Sequence, residues 1–181
     1  MPFHKTDIEG LLLFQPRVFE DDRGYFFESY NENIFKEEGI ETSFVQDNQA
    51  FSGRGVLRGL HYQVPPFSQA KLVRVLQGEV FDVAVDIREG SPTFGQWYGC
   101  ILSESNKLQL FVPRGFAHGY VVLSETAVFF YKCDNFYSKA HEGGIQPDCP
   151  VLNIDWQIDL EKATIAERDK SFPSIGGHRK S

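Results

Sequence analysis

The chain has 181 residues, 41% of them hydrophobic, enough for one well-packed domain and too few for two ordinary ones. Its net charge of −7 excludes the basic footprint that nucleic-acid binding needs, while leaving room for a small anion in a cleft that concentrates cations. Seventeen Phe, seven Tyr and two Trp suit a strand-rich fold, because aromatic side chains fit a pleated, half-buried surface.

In chain order, residues 10–14 form an apolar, strand-like stretch suited to a sheet edge. A helix follows, with Asn31 as its cap, Ile34 and Phe35 packing inward and Gly39 closing it. Strands are expected over Lys71–Gln77, 80–87, 108–112 and Thr126–Cys133, with Gly or Pro at short intervals between them. In 80–87 the alternation places Phe81, Val83, Val85 and Ile87 on one face, with Asp82, Ala84 and Asp86 on the other. Residues 159–170 read as a short helical segment, and residues 174–181, with Gly176-Gly177, as a loose tail. There is no repeat and no low-complexity linker. The expectation is a single mainly β domain over 1–181, an antiparallel barrel or double-sheet jelly roll with few short helices. Cys100, Cys133 and Cys149 are odd in number and widely spaced, which reads as three reduced thiols in a cytoplasmic protein. Neither a signal-peptide pattern nor a membrane-length apolar run is present.

Two short segments carry the chemistry, Arg58-Gly59-Leu60-His61 and Pro113-Arg114-Gly115-Phe116-Ala117-His118-Gly119. Each sets an imidazole beside arginine and glycine. On a regular strand Arg58 and His61 face opposite ways; a β-bulge at Gly59 brings them to one face. Lys71 shares a face with Val73 and Val75, so its ammonium either snorkels out at the strand end or meets an anion. Tyr131 shares a face with Ala127, Phe129 and Cys133, as an ordinary core tyrosine also would. Asp169 taken alone is a surface carboxylate.

The second segment is similar to the Pro-x-Gly-x-x-His element of the small β-barrels called cupins. Where a metal-binding cupin carries His-x-His, this chain has His61-Tyr62-Gln63. The missing second imidazole favours proton chemistry over a divalent metal site.

Over residues 1–173 the chain resembles the dTDP-4-dehydrorhamnose 3,5-epimerase family, sugar-nucleotide epimerases of L-rhamnose biosynthesis. The resemblance runs through Asp22-Arg23-Gly24-Tyr25-Phe26 with Glu28, Gln46-Asp47-Asn48, the two segments above, Lys71-Leu72-Val73-Arg74, Tyr131-Lys132-Cys133, Glu142-Gly143-Gly144-Ile145 and Arg168-Asp169. It implies a dTDP-4-keto-6-deoxyhexose substrate, whose ketone acidifies the protons at C3 and C5. It further implies His61 as base, Asp169 as its orienting carboxylate, Lys71 against the C4 oxygen and Tyr131 as proton donor. Arg23, Glu28, Gln46, Asp47, Asn48, Arg58, His118, Glu142 and Arg168 become substrate-binding positions by the same resemblance, with no cofactor and no metal. A homodimer that exchanges N-terminal strands is also implied. Two departures stand out. Arg168 occupies a position where the family commonly has lysine, and residues 146–150 differ from its aromatic and Asp-Pro pattern. A mono-epimerase acting at C3 or C5 alone, a metal-dependent cupin and a non-catalytic sugar-binding barrel are the alternatives.

Overall fold

The computed structural model describes residues 2–179. The first elements are short: β1 (Phe3–Lys5), β2 (Leu12–Phe14), and a hairpin of β3 (Phe19–Asp21) and β4 (Gly24–Phe26). Helix α1 (Glu32–Glu37) starts where its cap chemistry dictates, with the Asn31 side chain accepting from the Asn33 N–H. Gly39, at φ +86°, then turns the chain away after Glu38. The long strands follow: β5 (Gln46–Gly53), β6 (Val56–Gln63), β7 (Lys71–Gln77), β8 (Glu79–Asp86), β9 (Trp97–Ser103), β10 (Gln109–Val112), β11 (Phe116–Val122) and β12 (Thr126–Cys133). Three small elements close the described chain: β13 (Glu142–Gly144), β14 (Thr164–Ile165) and α2 (Glu167–Lys170).

Two sheets face each other as a jelly roll. One has the order β1-β2-β10-β7-β12-β5, the other β13-β6-β11-β8-β9 with β14 added alongside β6. The space between them is filled by Val73, Val75 and Phe129 from the first sheet against Val80, Ala84, Tyr120 and Val122 from the second. A second apolar layer, including Leu57, Phe81, Val83, Val85, Val121, Ile145 and Trp156, covers the outer face of the second sheet. Phe35 of α1 joins Phe3, Phe14, Leu72 and Phe111 in a third cluster on the outer face of the first. Strand β8 is therefore buried on both faces, and the alternation expected for it separates two cores rather than core from solvent.

Three expectations are corrected by this arrangement. Residues 10–14 do not form an edge, because β2 lies between β1 and β10 and β1 takes the outer position. Residues 159–170 are not one helical segment. A 3-10 turn at Leu160–Lys162 and the four-residue α2 flank β14, which pairs in parallel with Val56 and Leu57 of β6. The segment from 174 is packed through Arg179 rather than loose. Ile175 joins the outer core, His178 is buried against Phe94 and Tyr62, and the Tyr62 hydroxyl donates to the Arg179 carbonyl at 2.7 Å. The final two residues of that expected tail lie outside the described residues.

Candidate active site

The site is built on an irregularity in β6. Opposite β11, His61 pairs with His118 and Arg58 with Tyr120, so β6 carries one residue more than its partner over this stretch. The extra residue re-aims the strand as a bulge does, and Arg58 and His61 line the same cavity. Gly59 has φ +136°, and a Cβ there would stand 2.6 Å from the Gly119 Cα. Only glycine lets the two backbones come this close.

His61 donates from Nε2 to Asp169 Oδ1 at 2.9 Å, which leaves Nδ1 as its base nitrogen. Asp169 is brought in by α2 and is almost fully buried; its second oxygen accepts from the Gly59 N–H at 3.3 Å. Burial alone would raise the Asp169 carboxyl. The hydrogen bonds from His61 and Gly59, with the charges of His61 and Arg168, outweigh it and hold the carboxyl below its ordinary range. Arg168 Nη2 lies 3.3 Å from His61 Nε2. Both are donors, so what joins them is the Asp169 carboxylate, on which Arg168 Nε also sits at 3.3 Å.

Lys71 and Tyr131 complete the same cavity from the opposite sheet. Desolvation lowers the Lys71 pKa, against the opposing fields of Cys133, Asp82 and Glu142. The Tyr131 hydroxyl is pushed up to about 12, first by burial and then by Cys133 and Tyr120, so it keeps its proton at neutral pH. His118 donates from Nε2 to both oxygens of Asp82, at 3.0 and 2.9 Å. Asp82 is wholly buried; the sequence reading set it on the face opposite Phe81 and Val83 but gave it no part in the site. Its signal was available, since a carboxylate in the middle of an apolar strand needs a partner.

The cavity, about 590 Å³, continues into a second of about 280 Å³, and both are lined by His61, Lys71, Tyr131, Tyr137 and Glu142. Gln46 and Asn48 line the smaller part, with Gln46 accepting from the Tyr137 N–H and donating to Asn48 Oδ1. Glu142 accepts from the Tyr137 hydroxyl at 3.1 Å and from Arg168 at 2.9 Å, joining the two walls of the cleft. Tyr137 was also missed; an exposed tyrosine in a loop carries no pattern of its own.

Three of the expected binding residues stand apart. Asp47 points to the other face of β5 and pairs with Lys132 at 2.9 Å. Arg23 is 90% exposed in the β3–β4 hairpin and pairs with Asp21. Glu28 lines a separate groove with Phe14 and Phe19 and accepts from Asn31 at 3.2 Å. No group of three or more His, Cys, Asp or Glu side chains with metal-binding geometry occurs among the described residues. No helix among them is long and apolar enough to cross a membrane.

With this geometry in hand, comparisons with known proteins are specific. A family model described as dTDP-4-dehydrorhamnose 3,5-epimerase matches residues 5–176. The chain is 56% identical over 155 residues to a protein of that description from Shigella flexneri, covering 85% of this chain and 86% of that one. Its fold is similar to the crystal structure of dTDP-4-dehydrorhamnose 3,5-epimerase from Elizabethkingia anophelis, with a TM-score of 0.93, 54% identity and 96% of each chain covered. It is equally similar, with a TM-score of 0.93 and 48% identity over 97% of this chain and 93% of that one, to a Legionella pneumophila epimerase in complex with dTDP-4-keto-L-rhamnose.

Proposed function

The chain belongs to the dTDP-4-dehydrorhamnose 3,5-epimerase family, and from that premise we propose that it epimerises dTDP-4-dehydro-6-deoxy-D-glucose at C3 and C5 to dTDP-4-dehydro-L-rhamnose. The observation that carries the reading is the meeting, in one cavity, of a carboxylate-paired imidazole with a lysine and a protonated tyrosine from the facing sheet.

The C4 ketone of such a sugar makes the neighbouring C–H bonds acidic. His61 takes the proton, the C–H electron pair moves into an enolate, and Asp169 steadies the resulting imidazolium. Lys71 donates to the C4 oxygen where negative charge develops, and a buried donor acts more strongly there than one in water. Tyr131 then protonates the carbon from the other side, which inverts its configuration. The ketone already sits in the substrate, so the scheme calls for no redox cofactor and no metal.

Arg58 and Arg168 flank the cavity as donors for the diphosphate and sugar; His118, whose Nε2–H is spent on Asp82, offers Nδ1 as an acceptor, and Gln46, Asn48 and Glu142 line its smaller part. Arg23 and Glu28 are proposed to serve the cleft of a second copy, in a homodimer. In support, β3 and β4 pair only with each other and every residue in them is exposed, including Phe19 at 50%, Tyr25 at 56% and Phe26 at 67%. A cytoplasmic setting is proposed on the three unpaired thiols.

The test is NMR of the purified protein with dTDP-4-keto-6-deoxyglucose in D2O, following deuterium at C3 and C5. Exchange at both carbons, lost in His61→Ala, is the expected result. Exchange at one carbon would make the chain a mono-epimerase, and exchange undiminished in His61→Ala would remove the base.

A further inference from the structure

We propose that Phe172 is a positioning residue that holds His61 and Asp169 in register; this rests on His61 being the base. Asp169 is delivered by α2, a helix of four residues that is too short to be stable by itself. Something must fix it against β6. Gly144 of β13 pairs with His61 across the ladder. A Cβ on Gly144 would lie 2.2–2.6 Å from three ring carbons of Phe172, so the ring is seated on bare backbone beside the base. From that seat it meets the His61 imidazole edge-on, with centroids 5.9 Å apart and planes at 77°. The Arg168 guanidinium lies over the same ring, 5.7 Å from its centroid. Phe172 thus touches the base and the arginine next to the carboxylate, three residues beyond Asp169. It lies outside the residues that line the cavity, so it acts through them and not on substrate. A ring with one seat and two such neighbours restricts the imidazole's rotation and the approach of α2 together.

The test compares Phe172→Ala, Phe172→Tyr, Gly144→Ala and the double variant Phe172→Ala/Gly144→Ala, with His61→Ala alongside. For each variant, kcat and KM are measured and folding is checked by thermal melting. A misplacement of about 1 Å in a reacting group costs up to about 100-fold in rate, so Phe172→Ala is expected to lower kcat by about 10- to 100-fold with KM little changed. Phe172→Tyr keeps the flat ring and restores kcat. Gly144→Ala unseats the ring and lowers kcat too, and the double variant is no worse than Phe172→Ala alone, because the clash is gone. Should Phe172→Ala fail to fold, Phe172→Leu fills the seat without a flat ring and carries the same kcat test. Full kcat in a folded Phe172→Ala or Phe172→Leu, with His61→Ala inactive, overturns the positioning role and leaves the base in place. An active His61→Ala overturns both.

Discussion

Arg58 and His61 are three positions apart on one strand, and a regular pleat would send them to opposite faces. The expectation of a bulge at Gly59 followed from that conflict alone, and the register of β6 against β11 bears it out. Lys71 stood out for a similar reason, as a cation on a face with two valines that either snorkels out or meets an anion, and it lines the cavity. Asp169 was not. Nothing in Glu167-Arg168-Asp169-Lys170 marks one carboxylate as buried, since its partner is 108 residues away and tertiary packing alone unites them. At this scale, Asp169→Asn is expected to lower kcat by about 10²- to 10⁴-fold, measured by product formation with folding intact. The folded pKa of Asp169 lies below its ordinary 3.8, so its stabilising contribution is present above that value and is lost as pH falls through the folded one. Urea melts should therefore show wild type more stable than Asp169→Asn at pH 7, with the gap closing below about pH 4. Tyr131 moves the other way, from 10 to about 12. Between those values the unfolded phenol ionises while the folded one keeps its proton, so stability declines as pH rises across that window. Tyr131→Phe should lessen this decline, to which Tyr62 and Cys133 also contribute, and remove the proton donor.

Individual elements differ in how plainly they could be read. The strands Lys71–Gln77 and Thr126–Cys133 and the cap of α1 match their expected bounds, because local alternation and an Asn side chain carry enough information by themselves. Residues 159–170 do not, because Thr164 and Ile165 gain more from pairing with β6 than any helical turn could offer them. The order of strands in each sheet was beyond local pattern altogether, since β10 settles between β2 and β7 through contacts distant in sequence. Asn31→Ala should cost about 0.5–2 kcal/mol in chemical denaturation, because the Asn33 N–H loses its cap. Gly59→Ala is expected to do the reverse of a mild change. Its Cβ has nowhere to go against Gly119, so β6 and β11 must separate, and activity should fall together with stability.

For the molecule as a whole, the exposed β3–β4 hairpin is what the two facing sheets leave unused. If Arg23 serves a neighbouring copy, two inactive variants should rescue each other. Mixing Arg23→Ala with His61→Ala chains, after partial denaturation and refolding, would regenerate one complete site per heterodimer. Activity in the mixture is the expected result, and its absence, with heterodimers present by mass spectrometry, would place Arg23 on its own chain's cleft. The fold class was readable from composition and punctuation. A binding role for Arg23 was an expectation from resemblance alone, since no local pattern distinguishes an arginine that meets a ligand from one in solvent.

The pairing of His61 with a carboxylate so much later in the chain also has a consequence in time. A ribosome releases the N-terminal part first, so the strands can begin to assemble around His61, Lys71 and Tyr131 while α2 is still unmade. The nascent barrel holds a base without its partner, and competence arrives last, as a separate event from architecture. A nonsense mutation just upstream of Asp169 should accordingly yield a product that still resists proteolysis across its sheets yet turns over nothing.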